Sequence, residues 1–285
     1  MTVANFIPDL WAAALLRNLN EATVAGSLCN RDYEGEVRRM GDSVKITSIT
    51  QPTIGSYTSY SDITWEDIDD ATRTLAIDQQ NYFAFELDDV DRAQVANDGN
   101  LMAEAMYEAS FGLRDTFDTY VFTAMGSGAS SSSPDHQVAE QTISTASSAY
   151  ELLVDMSVLL DEANVPTGGR WVAVTPSFHG LLLKDSRFVS SGDDRAAGVR
   201  YNGMVGSAAG LDIVKSNNLP DGAGSGAGKA IIAGYRGATT VAEQITSVEA
   251  VRRENRFSDG VKGLHVYGVK VTRPTGLVVA DVIVA

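Results

Sequence analysis

Asn5-Phe6-Ile7-Pro8 opens a run that continues through Trp11, Leu15-Leu16, Leu19, Asn30-Arg31-Asp32-Tyr33-Glu34-Gly35-Glu36, Gly41-Asp42, Val44-Lys45-Ile46 and Tyr57-Thr58. Pro8 suits a first helical turn, where its missing N–H would have no partner anyway, and Asp9 suits the positive end of a helix. Trp11, Leu15, Leu16 and Leu19 recur at helical spacing, so the reading is a helix over 8–28. A β stretch isolates this helix from the next helical pattern. Its apolar stripe must therefore pack either on its own domain or on another subunit.

Working outward, 41–88 reads as β structure. Val44 alternates with Ile46 and Leu75 with Ile77, while Phe83, Phe85 and Leu87 line one face and Tyr82, Ala84 and Glu86 the other. Between these strands, Gln51 to Asp70 is rich in Ser, Thr, Tyr and Asp, and a connection of about 20 residues is too long for an ordinary hairpin turn. From Asp62 to Asp91 ten acids (Asp62, Glu66, Asp67, Asp69, Asp70, Asp78, Glu86, Asp88, Asp89 and Asp91) face one base, Arg73. Tyr57, Tyr60 and Trp65 lie in the polar tip. They are either a contact surface or aromatics tucked against the loop's own strands.

Residues 91–125 form the strongest helical pattern, with Asp91 and Gln94 as a capping pair. Met102, Met106, Ala109, Leu113, Phe117, Tyr120 and Ala124 make one apolar stripe. Such a helix is a structural spine about 50 Å long. Gly126 to Pro134 reads as a flexible linker and a domain boundary. Beyond it the pattern is α/β. A helix over 149–164 leads to a strand at Trp171–Thr175, and Thr175 caps a helix that begins at Pro176. An irregular segment follows at 186–210, then strands at Leu211–Lys215 and Ala230–Ala233. Ile245–Arg253 reads as a further strand. Leu264–Arg273 and Leu277–Val284, joined by Pro274-Thr275-Gly276, read as a hairpin.

The 285 residues are long enough for one large core or two modest domains. With 37 acids against 22 bases the formal net charge is −15. That charge repels a nucleic acid backbone and argues against a reader of DNA or RNA sequence. It is compatible with a container for DNA. Cys29 is the single cysteine, so no intrachain disulfide can form, and it reads as a small buried apolar residue. Pro8-Asp9 precedes the apolar Leu10–Leu16 run where a secretory signal would carry bases. No window approaches the roughly 20 apolar residues of a membrane span, and the expectation is a protein made and kept in a cytoplasm.

No motif carries catalytic chemistry, and the expectation is a protein without a catalytic, cofactor or metal site. Ala223-Gly-Ser-Gly-Ala-Gly228-Lys229-Ala230 resembles a phosphate-binding loop. However, Ala223 replaces its first glycine, Ala230 replaces the hydroxyl residue, and a strand follows instead of a helix. His136, His179 and His265 have no zinc-ligand spacing and read as ordinary hydrogen-bonded histidines. Asp88, Asp89 and Asp91 lack the twelve-residue pattern of a calcium loop and read as capping charges. Arg252-Arg253 with Arg256 is the one dense basic cluster. Set against the acidic tip, it suits head-to-tail contacts between copies, or else the two are unrelated solvated surfaces.

The opening run, together with Asp78-Gln79, Tyr82-Phe83, Asp88-Asp89-Val90-Asp91, Ala93-Gln94 and the ending Tyr267-Gly268-Val269-Lys270-Val271, Arg273-Pro274, Leu277-Val278-Val279, resembles the major capsid proteins of tailed phages of the Hong Kong 97 type. The resemblance implies an α+β fold in four parts: an N-terminal arm at 1–35, an extended β loop at 36–90, a peripheral domain at 91–140 with 240–285, and an axial α/β domain at 141–239. It implies an icosahedral head of pentamers and hexamers that encloses double-stranded DNA without sequence-specific binding. A separate scaffolding protein and a portal would be partners, no membrane would be involved, and assembly would take place in the host cytoplasm. Subunit contacts would fall on Trp11, Tyr57, Tyr60, Asp62, Trp65, Glu66, Asp67, Asp69 and Asp70, and on Arg252, Arg253 and Arg256. The founding phage crosslinks its subunits through a lysine on this loop. Here no lysine lies between Lys45 and Lys184, so a noncovalent shell is expected. An encapsulin-like cellular shell and a surface binding module are the alternatives.

Overall fold

The computed structural model describes residues 24–33, 43–49, 54–57, 59–60, 62, 65, 70–88, 101–130, 136–185, 204–222 and 228–284. Trp11, Glu66, Asp67, Asp69, most of the helix expected over 8–28, and the capping positions before the spine lie outside them. Residues 24–28, the described end of that expected helix, hold a single 3₁₀ turn, Ala25–Leu28.

β1 (Ser43–Ile49) and β2 (Asp70–Ala76) pair antiparallel, with Ile49 opposite Asp70, so 50–69 is the tip of a long hairpin as the sequence implied. β3 (Gln79–Asp88) joins β10 (Ser258–Val271) and β9 (Thr239–Arg252) in a three-stranded antiparallel sheet with β10 in the middle. The alternation read along β3 is real. Phe83 and Phe85 pack with Val261, Met106 and Leu113, whereas Tyr82 and Ala84 face outward.

The second sheet has six strands in the order β4 (Gln137–Ile143), β11 (Leu277–Val284), β8 (Lys229–Tyr235), β5 (Arg170–Val174), β7 (Leu211–Lys215), β6 (Met204–Ala208). α2 (Ala146–Glu162) and α3 (Pro176–Leu182) cover one face through Leu152, Leu153, Met156, Phe178 and Leu182. α2 begins where the Thr145 hydroxyl accepts from the Ser148 N–H, and α3 where Thr175 accepts from Phe178 N–H, the cap read from sequence. β5 is buried on both faces, which is why Arg170-Trp-Val-Ala-Val174 reads as a run with no polar side.

α1 (Leu101–Ser130) is the spine, and it serves both sheets. Its first half lies on the three-stranded sheet through Met106 and Leu113. Its second half covers the other face of the six-stranded sheet, with Phe117, Val121, Phe122, Met125 and Ala129 against Trp171, Ile232 and Leu277. A stripe that serves one sheet becomes wider where the helix lies over the second.

Four sequence expectations are corrected here. Gly126 and Gly128 are not in a flexible linker; the spine runs through them to Ser130. A Cβ on Gly128 would sit 2.9 Å from the Cβ of Val271, so this glycine permits a close approach of helix to strand. The segment expected to be irregular over 186–210 contains β6, which turns into β7 through Ala209 and Gly210, both at positive φ. β9 begins at Thr239, well before the expected Ile245. Finally, β10 and β11 are not a hairpin. Pro274–Gly276 forms a 3₁₀ turn that carries the chain from one sheet to the other, where β11 pairs antiparallel with β8 and parallel with β4.

Candidate functional site

Among the described residues no three His, Cys, Asp or Glu side chains come together as a metal would require, and no helix is long and apolar enough to cross a membrane. Lys229 opens a strand, and its ammonium goes to Asp221 Oδ1 at 2.6 Å and the Leu219 carbonyl at 3.4 Å. The would-be phosphate lysine is thus engaged on its own loop.

The molecule presents two unlike surfaces instead. One is the hairpin tip, where Ile54, Tyr57, Tyr60 and Trp65 are 88%, 68%, 103% and 92% exposed. The side chains of the Tyr57–Trp65 aromatics are therefore not tucked against their own strands. Asp62 is also exposed there, and the backbone of Asp70 opens β2. The other surface is the far end of the three-stranded sheet, where the β9–β10 turn carries Arg252, Arg253 and Arg256. Arg252 Nη1 lies 2.9 Å from Asp259 Oδ1. Arg253 Nε and Arg256 Nη1 share Glu86, at 3.3 and 2.7 Å. The cluster read from sequence is real, but its arginines already hold intrachain carboxylates, which sequence spacing could not reveal.

A third feature was missed by the sequence reading: the root of the N-terminal segment is clamped to the body. Asp118, buried on α1, accepts from the N–H groups of Val24 and Ala25, each at 3.4 Å. Arg236 donates twice to the Ser27 carbonyl, at 2.9 and 2.6 Å. Asn30 exchanges backbone bonds with Thr239 and Val241, and Arg31 pairs with Glu243. Ala25, Leu28 and Cys29 are buried between these groups and the core, and burial pushes the Cys29 thiol far above its usual range. The cysteine is an inert core residue, as its isolation suggested.

Glu243 also lies 3.6 Å from His265, whose ring packs at a tilt against Phe117 and Tyr267, at 5.8 and 5.0 Å between ring centres. The three histidines are buried as expected of core residues. They are not fully hydrogen-bonded, however: His136 Nδ1, His179 Nε2 and His265 Nδ1 have no protein partner.

Two groups at this junction make opposite contributions to pH dependence. Burial, opposed by the two N–H bonds, raises the Asp118 carboxyl to about 6. Folded protein then holds this proton more tightly than unfolded protein, so stability rises as pH falls from above 6 toward 4, by about 3 kcal/mol at about 1.4 kcal/mol per pH unit. Burial lowers His265 to about 4. Here the unfolded chain binds the proton first, so stability falls by roughly 3 kcal/mol as pH drops from 6.5 to 4. The two nearly cancel in the native protein. In Asp118→Asn the histidine acts unopposed, and urea unfolding at pH 7 and pH 4.5 reads a steeper acid loss than in the unsubstituted chain. An unchanged difference between the two pH values would refute the assignment.

The sequence profile of a family described as phage capsid protein matches residues 72–280. The chain belongs to that family. A solved chain from Mycobacterium phage Che8 is 32% identical, with a TM-score of 0.72 and 90% of each chain covered. The capsid of cyanophage P-SCSP1u is 17% identical with a TM-score of 0.73, covering 93% of this chain and 89% of that one. A virus-like particle from Pyrococcus furiosus, 14% identical with a TM-score of 0.58, shares the fold over 96% of this chain and 99% of its own. No curated protein matches the chain. The capsid protein has the Hong Kong 97 type of α+β fold and is a major capsid protein of tailed phages, assembling into the virion shell. The encapsulin-like alternative is less supported.

Proposed function

We propose that the capsid protein forms pentamers and hexamers that close into an icosahedral, noncovalent shell around double-stranded DNA, without reading its sequence and without a catalytic step. Residues 1–35 serve as the arm and 36–90 as the extended loop. Residues 91–140 with 240–285 form the peripheral unit and 141–239 the axial unit, whose sheet β4 and β11 complete. Assembly takes place in the host cytoplasm with a separate scaffolding protein and a portal. Trp11, the tip residues Tyr57 to Asp70, and Arg252, Arg253 and Arg256 make contacts between subunits.

One observation carries this reading. Between the strands of the β1–β2 hairpin, the described large side chains Ile54, Tyr57, Tyr60 and Trp65 are exposed and enter no core. Such side chains bury area only when another subunit covers them, and aromatic anchors of this kind dominate interface energies. Tyr57→Ser, Tyr60→Ser and Trp65→Ser combined leave the melting temperature of the free subunit within a degree or two, since exposed positions rarely matter for folding. Electron microscopy of particles, abundant for the unsubstituted chain, finds closed shells reduced at least tenfold. Shells at normal yield from the triple variant would sink the proposal for the tip.

A further inference from the structure

The root of the N-terminal segment and the interior of the protein meet at one carboxylate. Glu243, on β9, pairs with Arg31, which is about a third exposed, and lies 3.6 Å from Nε2 of His265. His265 is buried, and its Nδ1 has no protein partner among the described residues. The β9–β10 register slips by one residue between Leu264 and His265, a β-bulge of the kind that re-aims a side chain. Around the imidazole, α1 supplies Phe117, β10 supplies Tyr267, and β3 places Asn81 in register with it. Tyr120 of α1 packs on the Tyr267 ring at 5.5 Å and donates to Asp78. Of the charged groups here, Glu243 faces the imidazole, Arg31 stands behind Glu243, and Asp78 is two phenols away.

We propose that Arg31, Glu243 and His265 form an acid-released catch on the N-terminal segment: a proton taken up by His265 undoes the attachment of Asn30 and Arg31 to β9, while the turn at 24–28 stays docked. The neutral imidazole makes no demand on Glu243, which then serves Arg31. Protonation gives the ring two N–H donors with one carboxylate beside it. A buried cation with an unmet donor is costly, so the ring either draws Glu243 from Arg31 or swings past it toward water. Either movement takes from Arg31 the carboxylate that fixes it. The neighbouring backbone bonds then lose their brace: Asn30 N–H to the Thr239 carbonyl at 2.8 Å, and Val241 N–H to the Asn30 carbonyl at 3.0 Å. An opened root returns His265 to an ordinary imidazole, whereas burial lowers it to about 4 in the closed form, so acid favours opening between those values. The other end of the root behaves oppositely. Asp118 holds Val24 and Ala25, takes a proton more readily in the folded form, and is joined there by the two Arg236 bonds to Ser27. The catch stands on contacts within one chain and not on the shell reading, so either can fail alone.

Hydrogen exchange of the full-length chain at pH 7 and pH 4.5, read at single amides and corrected for the pH dependence of intrinsic exchange, tests this. Protection at the Asn30 and Val241 amides should fall at least tenfold at the lower pH, while at Val24 and Ala25 it holds or rises. In His265→Gln, which cannot take the proton, the change at Asn30 should shrink to within twofold. Arg31→Ala, at a partly exposed position, should leave the fold intact by circular dichroism and show the loosened Asn30 amide already at pH 7, with no further step at pH 4.5. A tenfold fall that persists in His265→Gln overturns the catch, as does equal loosening at both ends or an Asn30 amide indifferent to pH in the unsubstituted chain. If His265→Gln does not fold, Arg31→Ala decides: a retained acid step at Asn30 overturns the assignment, and its loss supports it.

Discussion

Phe117→Ala costs the subunit about 3–5 kcal/mol, the range for removing a buried phenyl ring whose site cannot collapse. The ring is fully buried at the point where α1 passes from one sheet to the other. It lies 5.1 Å from the Tyr267 ring in an edge-on arrangement and 5.8 Å from His265. Its neighbours are held from three directions: Tyr267 accepts from Asn81 Nδ2 at 2.7 Å, Tyr120 donates to Asp78 at 3.3 Å, and His265 is fixed by β9 and β10. The hole therefore stays open. Chemical denaturation reads the loss, and a drop below 1 kcal/mol would mean the junction relaxes around the hole. Opening the site also admits water to His265, so its titration, followed by nuclear magnetic resonance, moves up from about 4 toward the ordinary imidazole value.

Gly268→Ala is the second large effect, and it links stability to assembly. A Cβ on Gly268 would overlap the Ala76 carbonyl oxygen and lie 3.1 Å from Cα of Ile77. Those are backbone atoms, so no rotamer change can yield. Overpacking of this kind costs about 1–3 kcal/mol and relaxes by moving whichever segment is less anchored. That segment is the hairpin base, which the rest of the body holds through Leu75, Ile77 and the Arg73 bond to Val271. A shift of about an ångström there is magnified at the tip, because each strand adds about 3.3 Å per residue. The expected result is a modest fall in melting temperature with closed shells lost or reduced at least tenfold. Normal particles from Gly268→Ala would show that the hairpin's aim is set by the neighbour in the shell rather than by its own base.

Local chemistry was legible wherever an element depends on its own residues. Thr175-Pro176 announced a capped helix because a hydroxyl three residues from an N–H is a local geometry. The β3 alternation announced a sheet with one buried face, and the polar tip between two strands announced a projecting hairpin. The exposed tip aromatics and the basic turn were also named from sequence, since charge and side-chain size need no fold to be read. Resemblance to a known family supplied the rest of the architecture.

Residues far apart in the chain were legible only once folded. Asp118 and Val24, Arg31 and Glu243, and Glu86 and Arg256 meet across as many as 212 positions, and no periodicity marks such pairs. Gly126 and Gly128 looked like a linker because composition records flexibility but not the Val271 side chain that leaves no room for a Cβ. Pro274-Thr275-Gly276 looked like a hairpin turn because a turn is local, whereas the sheet that each flanking strand joins is decided by which faces need covering. Sequence by itself determined many of the elements, though not all their ends or partners, together with the acidic balance and the two contrasting surfaces, because those follow from neighbouring residues and counted charges. Tertiary structure alone decided that the spine serves two sheets, that the arginines are already partnered, and that the hairpin base and the basic turn lie toward opposite ends of β10, because these depend on packing between segments the chain brings together only on folding.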